Sequence, residues 1–120
     1  MNLLRAAWLG AVVATTACSS SSEPGTSGPG ANEVWMQSTA FNPTSRTVTA
    51  GTTVTFTNKD GFAHTVTSSS VPGGVAAISS GNISGSGTFQ VTLNTAGTYQ
   101  YFCSIHGSAA AGMRGTIIVN

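Results

Sequence analysis

The chain has 120 residues, of which only 4 are Lys or Arg and 3 are Asp or Glu, for a formal net charge of +1. With no basic stripe and no acidic run, this composition argues against nucleic acid as a partner and against any partner held by a charged patch. Two cysteines are too few for a disulfide framework, and the length suits one domain once a leader is set aside.

The N-terminus reads as that leader. "MNLLR" supplies a positive charge, "AAWLGAVVA" an apolar run and "TTAC" a zone of small residues, so residues 1–17 are expected to be an export signal. The apolar run is about half the roughly 20 residues that a membrane-spanning helix needs. Cys18 directly after small residues resembles a bacterial lipobox, although Thr15 stands where that pattern usually has leucine. Cleavage before Cys18 would make it a lipid-bearing N-terminus, placing the protein on the periplasmic or extracytoplasmic face of a bacterial membrane. Ordinary cleavage at the same bond would leave a free thiol. Lipidation is preferred because a polar tether follows at once. Residues 18–31 are rich in Ser, Gly and Pro with nothing to bury, and such a chain reaches on the order of 20 Å from its anchor. Residues 32–120 then form the folded domain.

Strands follow one another through that domain. In "TTVTFTN", Val54 and Phe56 share one face and threonines the other. His64 opens a strand-like run, "HTVTS". Residues 68–87, polar and glycine-rich, are expected to be a long surface loop. "TFQVTL" alternates again through Phe89, Val91 and Leu93, and "GTYQYFC" puts Tyr99, Tyr101 and Cys103 on one face. "GTIIVN" pairs Ile117 with Val119. Turn signals such as "FNPTS", "TAGT", "NKDG" and "NTAG" separate these runs, and no helical period is sustained. The pattern predicts an all-β fold, an antiparallel or mixed sandwich.

Four residues carry chemistry. Cys103 is expected to end its strand, with His106 in the turn that follows and His64 arriving from elsewhere in the chain. Two imidazoles and a thiolate in a plane, with the weak thioether of Met113 above, describe a type 1 copper site. Structural zinc normally takes four strong ligands, and this set offers three and a thioether. A Cys–His nucleophile would lack a third, orienting residue. Met113 taken alone reads more readily as a gap-filling core residue. A Cys18–Cys103 disulfide would tie a floppy tether to a patterned strand and order little. The conjunction of all four residues in a β-sandwich favours copper.

"NKDGFAHTV", "GTYQYFCSIH" and "GMRGTIIV" resemble the copper-binding segments of the plastocyanin-like cupredoxin family, and "FNPTSRTVTAGTTVTFTN" resembles its second and third strands. The resemblance implies a Greek-key β-sandwich or barrel of about eight strands with copper near one end. It also implies His64, Cys103, His106 and Met113 as ligands of one copper that carries single electrons between Cu(II) and Cu(I). Three departures stand out. Thr65 takes the place of the asparagine that usually stitches the two ligand loops together, and its hydroxyl is suited to the same task. Phe102 replaces a surface tyrosine used in docking, and the acidic patches that accompany it are missing, so no photosynthetic role is implied. The ligand loop reads Cys-x2-His-x6-Met, two residues longer than the family's. That extension costs only about 0.3 kcal/mol of loop entropy, and the even spacing of Gly115, Ile117 and Val119 behind Met113 is kept.

The function expected is a single-electron carrier, not an enzyme. It would be exported, lipid-anchored and monomeric, with unidentified redox proteins as donor and acceptor. The edge of His106, ringed by Gly107 and alanines 109–111, is the expected exit for electrons. The alternative is a copper-binding storage, delivery or sensing module without redox turnover.

Overall fold

Short runs with one apolar face must bury that face against another layer, and here two sheets do so against each other. The computed structural model describes residues 28–120. They form β1 (Glu33–Gln37), β2 (Ala40–Asn42), β3 (Ser45–Val48), β4 (Thr52–Asn58), β5 (Thr67–Ser70), β6 (Thr88–Leu93), β7 (Gly97–Gly107) and β8 (Gly112–Val119). One sheet has the order β2-β1-β4-β6 and the other β3-β8-β7-β5. β1 runs parallel to β4 and β3 parallel to β8, while the other pairs are antiparallel. The fold is therefore the expected all-β sandwich, of the mixed kind, and no helix occurs among the described residues. The leader, Cys18 and residues 19–27 of the tether lie outside them.

The predicted faces point inward. Val54, Phe56, Leu93, Tyr99, Tyr101, Ile117 and Val119 are buried, whereas Phe89 and Val91 are half-buried. β1 adds Val34 and Met36 to this core, alternating with Trp35. Tyr101 joins the two sheets: its ring meets Phe41 edge-on at 4.7 Å and Phe56 at 5.2 Å, a favourable aromatic geometry. That ring lies across Gly115, its partner in β8, where an added Cβ would come within 2.6 Å of it. The Tyr101 hydroxyl is buried without a hydrogen-bond partner among the described residues. Burial pushes its pKa well above the usual phenol value, against a smaller opposing pull from Arg46.

Two expectations need correction. The segment 68–87 is not all loop, because β5 occupies its first three residues, and His64 precedes that strand instead of opening it. The rest of the segment doubles back along residues 64–68. The Ser68 N–H donates to Ile78 O (2.9 Å) and the Ser80 N–H to Val66 O (3.0 Å). Serine hydroxyls complete the pairing, Ser80 Oγ accepting from Val66 N and Ser68 Oγ from Ile78 N. A polar segment thus satisfies its backbone through side chains, which a hydrophobic pattern does not register. Secondly, β7 does not end at Cys103. It continues to Gly107, with an irregularity in its pairing to β8 between Phe102 and Gly107.

Candidate metal centre

Strand phase places the first donor. Cys103 is the third inward residue of β7 after Tyr99 and Tyr101, is wholly buried, and is a free cysteine. The irregularity that follows turns Ser104 and Ile105 outward and returns His106 to a half-buried position at the rim. His64 comes from the connection between β4 and β5. Its backbone is clamped to Ile83, donating to Ile83 O at 3.1 Å and accepting from Ile83 N at 2.7 Å. His64 is wholly buried.

The three donors converge. Cys103 Sγ lies 3.7 Å from His64 Nδ1 and 3.6 Å from His106 Nδ1, and the two Nδ1 atoms are 3.1 Å apart. First-row metal ions hold imidazole nitrogen and thiolate sulfur at about 2.0–2.3 Å, so donors sharing one ion stand about 3–4 Å apart. The observed triangle has that size. His64 carries its proton on Nε2, because the ionised Asp60 carboxylate 2.7 Å away can only accept. Its Nδ1 therefore presents a lone pair to the other two donors, an arrangement that a cation among them satisfies.

Thr65 does what its position suggests. Its hydroxyl accepts from Ser104 N at 2.8 Å and pairs with Ser104 Oγ at 3.0 Å, tying the His64 segment to the Cys103 segment. Its own N–H donates to Cys103 Sγ at 3.3 Å, a bond that supports negative charge on sulfur. Met113 is the second residue of β8 and buried, 3% exposed. It adjoins Gly112, which pairs with Gly107 just beyond His106.

The two extra loop residues are absorbed in a closed turn. Ser108 N–H donates to Ala111 O at 2.8 Å, and the Ser108 hydroxyl accepts from Ala110 N and Ala111 N, both at 3.2 Å. Gly112, at φ +89°, takes a conformation that other residues rarely adopt. Arg114 donates to Ala109 O at 2.9 Å and braces the tip. This turn closes the β7–β8 hairpin beside His106, and β8 runs unbroken from Gly112 to Val119.

Three neighbours went unmarked by sequence reasoning. Asp60 accepts from the N–H groups of Ser38 (2.9 Å) and Thr39 (3.2 Å) as well as from His64. Burial pushes its carboxyl up, but the Ser38 N–H, the His64 ring and the Thr39 N–H together hold it below the usual aspartate value. Asn58 is buried at the end of β4, its amide donating to Phe62 O and Ile83 O and its oxygen accepting from Asp60 N. Phe62 stands edge-on to both histidine rings, at 5.2 and 5.4 Å. All three lie within "NKDGFAH", but what each does depends on residues distant in the chain.

Known proteins resemble this chain in sequence and in fold. Plastocyanin A/B of Petroselinum crispum is 44% identical over 86 residues, covering 67% of this chain and 87% of that protein. The structure of an amicyanin variant in its oxidized state matches with a TM-score of 0.65 at 27% identity, over 75% of this chain and 82% of the other. A Cu-containing nitrite reductase from Thermus scotoductus matches with a TM-score of 0.65 at 28% identity, over 73% of this chain but 22% of its own. Copper is thus the metal for which the His64, Cys103 and His106 donors are arranged. The model of copper binding proteins of the plastocyanin/azurin family matches residues 30–120, a span holding all eight strands and every converging donor, and the chain belongs to that family.

Proposed function

We propose that the protein is a single-electron carrier with one type 1 copper, exported and held to a bacterial membrane by lipid on Cys18. The observation that carries the reading is the triangle of two imidazole nitrogens and a thiolate at 3.1–3.7 Å, buried on two sides and open at His106. Bound copper would supply a one-electron couple, Cu(II)/Cu(I), suited to soft sulfur and imidazole donors alike. His64, Cys103 and His106 would hold it, and the Met113 thioether would serve as a further, weaker ligand. Four protein donors leave no position for a substrate, so the protein would not be an enzyme. The likeness to a nitrite reductase spans 22% of that chain and lends this reading no nitrite chemistry.

The residues around the site serve transfer and not turnover. Clamps on His64, Thr65 and Ser104 fix the donors before any ion is bound, which would keep rearrangement small when the charge changes. His106 reaches the surface amid Phe62 and Ile105, each 48% exposed, an apolar rim suited to brief docking with a redox protein. The support for export and lipidation is the leader and the small residues before Cys18. A tether there would raise encounters with membrane-bound partners.

Adding Cu(II) to the purified chain tests the reading. An intense visible thiolate-to-copper band is expected, lost in Cys103→Ser, together with a reversible one-electron wave in voltammetry. A colourless protein overturns it. Release of copper on reduction would favour storage or delivery instead.

A further inference from the structure

We propose that Asp60 is the positioning residue of the copper centre, orienting His64 for coordination and biasing the bound metal toward Cu(II). The inference rests on the copper reading above and adds a residue that the strand pattern and ligand spacing leave out. His64 has two ring nitrogens, and only the tautomer with its proton on Nε2 leaves Nδ1 free to coordinate. Asp60 Oδ2, 2.7 Å from Nε2, selects that tautomer and fixes the ring plane.

The carboxylate is itself held in place. Ser38 N–H donates to Oδ1 and Thr39 N–H to Oδ2, both from the two-residue turn between β1 and β2. Ser38 and Thr39 each have φ 56°, a conformation seldom used outside tight turns, and in it both N–H groups point at the same carboxylate. Asn58 Oδ1 accepts from Asp60 N at 2.9 Å and fixes the backbone. The side chain is 12% exposed, and His64 is the only side chain that hydrogen-bonds to it among the described residues. Lys59, next in sequence, lies instead over the Trp35 ring at 4.5 Å. The negative charge of Asp60 is therefore directed at one imidazole, making it a stronger donor. The more highly charged Cu(II) gains more from that than Cu(I).

Two measurements test this. Outer-shell partners of metal-ligating histidines are worth about 10–100-fold in metal affinity. At a fixed solution potential, Asp60→Asn should raise the Cu(I):Cu(II) ratio about tenfold, equivalent to about 59 mV for a one-electron couple, with the visible band kept. In the copper-free chain, nitrogen-15 NMR should show a hydrogen-bonded proton on His64 Nε2, lost to exchange in Asp60→Ala. An unchanged ratio in a blue Asp60→Asn protein overturns this proposal alone. If that variant fails to fold, the wild-type spectrum still decides, because a His64 ring without a bonded Nε2 proton also overturns it. A wild-type chain that stays colourless with Cu(II) overturns the copper reading, and this proposal with it.

Discussion

Tyr101 shows how one residue can serve packing at a cost. Its ring locks the two sheets together through Phe41 and Phe56, yet its hydroxyl is buried without a partner among the described residues. An unmet buried hydroxyl costs about 1–3 kcal/mol, while an apolar isostere fills the same space without that penalty. Tyr101→Phe is therefore expected to stabilise the copper-free chain by about 1 kcal/mol, read as a higher urea midpoint with an unchanged slope. A lower midpoint would mean that the hydroxyl is satisfied. At this scale the sequence was legible wherever residue type and strand phase agreed. Cys103 follows Tyr99 and Tyr101 on the inward face, and only two histidines exist to join it. Asp60 was not legible, because its role depends on a turn 21 and 22 residues away in the chain. Met113 is buried where the retained register of β8 places it.

Among elements, four alternating strands are legible from their pattern, β7 only as far as Cys103, whereas the alternating β1 and the polar β5 are not picked out. β4, β6, β7 and β8 announce themselves through period-two burial, whereas β5, "TSSS", has no apolar face to show. Its pairing comes from β7 and from serine hydroxyls that no periodicity reveals. β1 carries a further dependence, on Glu33. Burial raises the pKa of this carboxyl, but the Gly30 N–H, the Thr57 hydroxyl, the Trp35 indole and the Lys59 charge together hold it below the usual glutamate value. A carboxylate with a depressed folded pKa stabilises the fold above its unfolded pKa, and that stability is lost as pH falls through the folded value. The copper-free chain should thus weaken in urea as pH drops from about 5 toward about 3. Glu33→Gln should be less stable than wild type at neutral pH and should lose less on acidification. A variant that loses as much as wild type would place the effect on other carboxylates, such as Asp60.

The molecule as a whole is defined by how little charge it carries. Around His106 the surface offers Phe62, Ile105 and the alanines of the lengthened hairpin, and the nearby Arg114 guanidinium is engaged with Ala109 O. Electrostatic steering accelerates encounters and falls steeply with ionic strength, so a face with so few charges should respond only weakly to salt. Stopped-flow electron exchange with a protein partner is expected to change less than about threefold between low salt and about 0.5 M. A steep fall would place charge recognition elsewhere on the surface.

The Thr65–Ser104 and His64–Ile83 bonds imply something about the chain as a polymer. His64 and Cys103 are 39 residues apart in sequence, so an ion held by both is a cross-link closing a long loop. Unlike a disulfide, such a cross-link is reversible and obeys mass action. An ion binding only the folded form at 1,000 times its dissociation constant adds about 4.1 kcal/mol, comparable to a good part of a small domain's whole stability. How firmly this sandwich stays folded is then set partly by the free copper of its compartment, and scarcity of the ion would be felt first as a softer protein.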